Sequence, residues 1–140
     1  MDEQVKIWNL LHDGVITAVQ HNGETLTIVV DIPYLSRRMK PVGDSFILQL
    51  TGLTCLEYQD YDGMVSCLAK EVENAMPVIL STDSEAMPVK VNLTTGQLIL
   101  DFKGISITLE NRESVAFETI DRLAREYWHE FEKRAQQARC

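Results

Sequence analysis

Residues 15–32 read Val15-Ile16-Thr17-Ala18-Val19-Gln20-His21-Asn22-Gly23-Glu24-Thr25-Leu26-Thr27-Ile28-Val29-Val30-Asp31-Ile32. Val15, Thr17 and Val19 alternate with Ile16, Ala18 and Gln20. Beyond Asn22-Gly23, Leu26, Ile28, Val30 and Ile32 alternate with Thr25, Thr27 and Asp31. A period of two sends successive side chains to opposite faces of a strand, so each run reads as a half-buried β-strand. Asn-Gly between two such runs predicts a tight hairpin of type I′, because both central residues of that turn need positive φ.

The pattern continues downstream. Pro33 removes a ladder donor and closes the second strand, and Tyr34 to Gly43 reads as a loop. Phe46, Leu48 and Leu50 alternate with Ile47 and Gln49, and Thr51-Gly52 turns the chain into Leu53–Tyr58. Gln59 to Gly63 is polar and acidic. Val65, Leu68, Ala69 and Val72 stand at i, i+3, i+4 and i+7, predicting a short helix that ends near Asn74, before Pro77. After the short apolar run Val78–Ser81 come three alternating runs: Val89–Leu93, Leu98–Phe102 and Ile105–Leu109. Gly-containing turns at 94–96 and 103–104 join them. Connections this short impose antiparallel pairing, since parallel strands need long crossovers.

Helices flank the strands. Ile7, Trp8 and Leu11 predict a short N-terminal helix or turn, ended by Asp13-Gly14. Phe117, Ile120, Leu123, Ala124, Tyr127, Trp128 and Phe131 form one stripe at helical spacing, read as core rather than a cofactor site. Glu118–Arg122, Asp121–Arg125 and Glu130–Arg134 are favourable i, i+4 pairs, and Ser114 is the expected N-cap. The expected fold is therefore α+β: an antiparallel sheet or half-barrel of seven or eight strands with a long C-terminal helix packed on it. With 140 residues and no repeat or linker, residues 1–140 are expected to form a single domain.

Charge narrows the function. The net charge is −8 and the pI 4.8, against the basic face that a nucleic-acid binder needs. Residues 1–70 carry nine acids and five bases and residues 71–140 twelve and eight, so each half is at −4 and no charged tail stands out. No apolar run approaches the ~20 residues of a membrane span, and Met1-Asp2-Glu3-Gln4 lacks the basic start of a secretion signal; a cytoplasmic protein is expected. Cys55, Cys67 and Cys140 are odd in number and without CxxC spacing. They are expected to be reduced, Cys55 and Cys67 behaving as small hydrophobes and Cys140 exposed.

Catalytic signatures are weak. His12-Asp13 is the one adjacent pair that resembles a metal-phosphohydrolase dyad, but such a site needs further His and Asp ligands on surrounding helices. His21 falls in the hairpin turn and His129 near the end of a helix, so neither is expected to complete it. Packing at the turn into the first strand is the plainer role for His12 and Asp13. There is no GxSxG, no Cys–His pairing and no phosphate-binding glycine loop. Glu57, Asp60 and Asp62 do not fit the EF-hand spacing. No catalytic residue, cofactor or metal is expected. Glu57-Tyr58-Gln59-Asp60-Tyr61-Asp62 interleaves acids with tyrosines, a composition suited to a basic protein partner, although a solvated loop is the plainer alternative. Arg37-Arg38-Met39-Lys40 is the one basic cluster, and local charge balance accounts for it.

Trp8-Asn9-Leu10-Leu11-His12-Asp13-Gly14-Val15-Ile16, with Phe46-Ile47-Leu48-Gln49-Leu50-Thr51-Gly52-Leu53 further on, resembles the opening of several uncharacterised bacterial families. These include some immunity proteins of polymorphic toxin systems; they begin with an aromatic residue, then His-Asp-Gly/Ala, a first strand and a hairpin. The resemblance spans roughly the first 60 residues. It implies a small cytosolic β-rich protein that binds another protein and has no catalysis of its own; it carries no residue roles. The expected function is thus non-catalytic protein binding through Glu57, Tyr58, Asp60, Tyr61 and Asp62, as an immunity-type protein that neutralises a partner. Two alternatives stand beside it: a small enzyme centred on His12 and Asp13, with a pocket at the start of the first strand, and a homodimer module built for assembly.

Overall fold

The structure is a computed structural model that describes residues 3–32, 45–109 and 112–138, with side chains through 130 and at 132–133. Pro33, the Tyr34–Gly43 segment with its Arg37-Arg38-Met39-Lys40 cluster, the Phe131 side chain and Cys140 lie outside the described residues. The element order is α1 (Glu3–Leu10), β1 (Val15–Asn22), β2 (Thr25–Asp31), β3 (Ser45–Thr51), β4 (Cys55–Asp60), β5 (Val65–Ser66), α2 (Ala69–Ala75), β6 (Ile79–Thr82), β7 (Val89–Leu93), β8 (Gly96–Asp101), β9 (Gly104–Leu109) and α3 (Phe117–Ala138).

The α+β class and the antiparallel pairing hold, but the nine strands among the described residues are divided between two sheets. One is four-stranded in the order β1-β2-β3-β9; the other is five-stranded, β5-β4-β8-β7-β6. The sheets meet at two corners. At the first, β3 turns into β4 and β8 into β9 side by side, with Thr54 N–H donating to Asp101 C=O (2.8 Å) and Lys103 N–H to Thr51 C=O (2.9 Å). At the second, Asp13 N–H donates to Ile79 C=O (2.8 Å), Ile79 N–H to Gly14 C=O (2.8 Å) and Ile16 N–H to Pro77 C=O (2.9 Å). The chain thus passes from β3 round the bend into β4, and a single bridge between Val15 and Val78 ties the start of β1 to the residue before β6. β1 and β9 remain the edges of the first sheet, and β5 and β6 those of the second.

The hairpin at residues 15–32 is present with a different turn. Asn22 pairs with Thr25, so the loop residues are Gly23 and Glu24, and Gly23 alone has positive φ (63°). A glycine with positive φ at the first central position followed by a residue with negative φ is the type II′ pattern rather than type I′. A bulge between Ile16 and Ala18 also breaks the alternation of β1, so Ile16 and Val19 both face inward. β6 carries a matching irregularity between Ile79 and Ser81, which buries both Ile79 and Thr82.

One core fills the space between the sheets. Leu26, Ile28, Val30, Phe46, Leu48 and Leu50 from the first sheet meet Leu56, Val89, Val91, Leu93, Leu98 and Leu100 from the second. Val5, Ile7, Trp8 and Leu11 of the N-terminal segment close one end. α3 has α1 as its principal neighbour and buries Ile120, Leu123 and Ala124. Farther along its stripe Tyr127 and Trp128 are only half-buried. Ser114 is not the N-cap: it forms a β-bridge with Thr108, and the helix starts three residues later. The helix predicted from Val65 is shorter as well. Val65 pairs in β5, Leu68 is exposed at the helix start, and Val72 is the one fully buried residue of α2.

Candidate functional site

The acidic segment singled out in the sequence is the β4–β5 hairpin. β4 lies between β8 and the two-residue edge strand β5, with Tyr58 opposite both Leu98 and Ser66. Strand parity then sorts the candidates. Tyr58 shares the inward track with Leu56 and is 6% exposed, its hydroxyl hydrogen-bonded to Thr95 Oγ1; it is a core residue, not a contact residue. Glu57 is on the outward track and half-buried.

Asp60 has a structural duty. Its Oδ1 accepts from Asp62 N–H (3.0 Å) and Met64 N–H (2.9 Å), while Asp60 N–H donates to Met64 C=O (3.0 Å). An aspartate that hydrogen-bonds the backbone two residues on is a turn former. Tyr61 and Asp62 are therefore the members of the segment held outward at the tip. Tyr61 is 72% exposed, yet its hydroxyl donates to Leu93 C=O (2.7 Å), which fixes the ring across the β7–β8 turn. A tethered aromatic ring offers contact area with little entropy left to lose.

Sequence reasoning passed over the apolar residues beside it. Met64, Val65 and Leu68 are 68%, 57% and 64% exposed and follow Tyr61 around the hairpin. Met76 (56%) stands near the same end of the sheet, since its neighbour Val78 is bonded to Thr94 of the β7–β8 turn. Met64-Val65 directly after the turn glycine Gly63 was the available signal: apolar residues at a turn have no core face to enter. Apolar patches rimmed by polar groups mark interaction surfaces.

A second locus gathers around His12. Its Nδ1–H donates to Asn9 C=O (3.0 Å), which leaves Nε2 facing Asp13 Oδ2 at 3.8 Å. The ring stacks on Trp128, with centroids 4.9 Å apart and 20° between planes. An open groove of about 360 Å³ runs between His12, Asn9 and the α3 residues Arg125, Trp128, His129 and Glu132. His129, set aside in the sequence, thus lines the same groove as His12, whereas His21 is far along the hairpin and bonds Gly23 C=O (2.8 Å). Among the described residues no group of three or more His, Cys, Asp or Glu is placed to hold a metal ion.

Cys55 and Cys67 occupy a third locus. Cys55 is half-buried and its thiol is pushed up, first by burial and then by the negative charges of Glu57 and Asp101, with Cys67 adding to the effect. Cys67 is exposed, contrary to its expected role as a small buried hydrophobe, because β5 ends just before it at the sheet edge.

No family model matches this chain, and no curated protein or solved structure matches it either. No helix among the described residues is long and apolar enough to cross a membrane.

Proposed function

We propose that this protein is a non-catalytic binding domain that engages a basic protein through the β4–β5 hairpin, in the manner of an immunity-type neutraliser. The observation that carries this reading is the exposed run Tyr61, Met64, Val65 and Leu68 beside Glu57, Asp60 and Asp62. Apolar anchors provide the buried centre of an interface, and the acids steer a cationic partner and fix its register. The net charge of −8 adds a long-range attraction for such a partner.

The test uses Asp62→Lys and Met64→Lys, because Asp60 is needed to form the turn. A basic protein captured from the native lysate by the wild-type chain, then purified and titrated, is expected to bind each variant at least tenfold more weakly. Tenfold corresponds to ~1.4 kcal/mol. Raising the salt is expected to slow its association. Equal affinity for wild type and both variants would overturn the reading. The groove beside His12 supports a second reading, a small-molecule site, and loss of a ligand from a Trp128→Ala variant with the hairpin intact would favour it.

A further inference from the structure

Cys55 and Cys67 border one open depression of about 540 Å³, shared with His21, Leu53, Thr54 and Glu57. Their placement follows from strand register. Tyr58 pairs with Ser66 and Gln59 with Val65, so one step further sets Cys67 opposite Glu57. Cys55 and Glu57 lie on the outward track of β4, with Leu56 and Tyr58 buried on the other. Cys55 thus lies within β4 and Cys67 one residue past the end of β5, on the same depression, and extending the register by that one residue makes them diagonal neighbours. Diagonal Cα atoms stand roughly 7–8 Å apart. A disulfide needs Cα atoms about 4.4–6.8 Å apart, so closure takes a shift of about an ångström. β5 is a two-residue strand at the sheet edge, and Val65, Cys67 and Leu68 are exposed, so this end of the hairpin has little packing to resist that shift.

We propose that Cys55 and Cys67 are a peroxide-oxidisable thiol pair that closes into an intramolecular disulfide across the β4–β5 edge. Cys67 is the accessible sulfur and reacts first. Its thiolate attacks one oxygen of hydrogen peroxide, the O–O bond breaks and hydroxide leaves, giving Cys67 sulfenic acid. The Cys55 thiolate then attacks Cys67 Sγ; the S–S bond forms, the S–O bond breaks and a second hydroxide leaves. Two thiols lose two electrons, and one peroxide, with the two thiol protons, ends as two waters. Cys67 is exposed while Cys55 is half-buried, and burial with the nearby charges of Glu57 and Asp101 lowers the thiolate fraction of Cys55 further, so the first oxidation is directed to Cys67. This inference stands independently of the binding reading, since it needs no partner.

The experiment uses the full chain carrying Cys140→Ser, which removes competing pairings. Hydrogen peroxide is added, remaining thiols are alkylated, and intact mass and peptide maps are recorded. The expected product has lost two hydrogens, resists alkylation at both cysteines, yields a peptide joining Cys55 to Cys67, and reverts with a phosphine reductant. In the same background Cys55→Ser, or Cys55→Ala should the serine variant misfold, is expected to trap Cys67 as a dimedone adduct. Two cysteines that stay alkylatable, Cys67 over-oxidised without a link, or only intermolecular dimers would each overturn the proposal.

Discussion

Gly96 shows how a single residue fixes the distance between strands. A β-carbon there would run into Gln59 C=O and Asp60 Cα, at the point where β8 meets β4 beneath the candidate hairpin. Gly96→Ala is expected to destabilise the fold by about 1–3 kcal/mol, the usual cost of overpacking, and thermal unfolding measures it. Cys55 gives a pH prediction. Its thiol is raised in the folded state, so the native form holds its proton where the unfolded chain releases it. The resulting stability is complete below the ordinary thiol range and is lost as the pH climbs through the folded value. Denaturant titrations from neutral to alkaline pH are expected to fall less steeply for Cys55→Ala than for wild type. At this scale the sequence was partly legible. The inward track of Leu56 and Tyr58 could have been counted from alternation alone, marking Tyr58 as core. The turn role of Asp60 could not, because it depends on where Met64 and Asp62 fold back.

Elements in this protein are defined as much by how their edges are covered as by their cores. The free edge of β1 is met by α2, whose Glu73 Oε1 accepts from Val19 N–H (3.1 Å). Along β6, the Asn9 amide both accepts from Thr82 N–H (2.8 Å) and donates to Thr82 C=O (3.2 Å), standing in for a strand. β9 is occupied by Val115 N–H on Ile107 C=O (2.8 Å), just after the Gln4 side chain reaches Lys103 C=O (2.8 Å). Such covers satisfy the backbone and prevent edge-to-edge association. Glu73→Ala is expected to cost about 1 kcal/mol and to speed hydrogen exchange at Val19, whereas Glu73→Gln keeps an acceptor and leaves both nearly unchanged. Amide exchange read by NMR distinguishes them. The strands were legible here because period-two alternation is a local property. Their bulges at 16–18 and 79–81 were not, because a bulge answers the demands of the partner strand. The start of α2 was misplaced for a related reason: Val65 and Leu68 satisfy helical spacing, yet pairing with β4 claims Val65 first.

For the molecule as a whole, the covered edges and the exposed hairpin make opposite statements about association. If the exposed apolar run served a homodimer, dilution would lower the stability; a monomeric binder predicts a melting temperature independent of protein concentration, with a monomer mass in sedimentation across that range. We expect the second result, because Asp60 and Asp62 would face their own copies across a symmetric contact. The sequence by itself determined the class of fold and the antiparallel order, since alternation, short turns and one amphipathic helix are written in neighbouring residues. It also determined the acidity, a net charge of −8 spread over both halves of the chain. Only the tertiary structure decided that the strands split into two sheets, that Tyr58 turns inward while Tyr61 is held out, and that His12 stacks on Trp128 in a groove that His129 also lines. Each of these rests on contacts between residues distant in the chain, where packing and hydrogen-bond satisfaction, rather than local propensity, set the outcome.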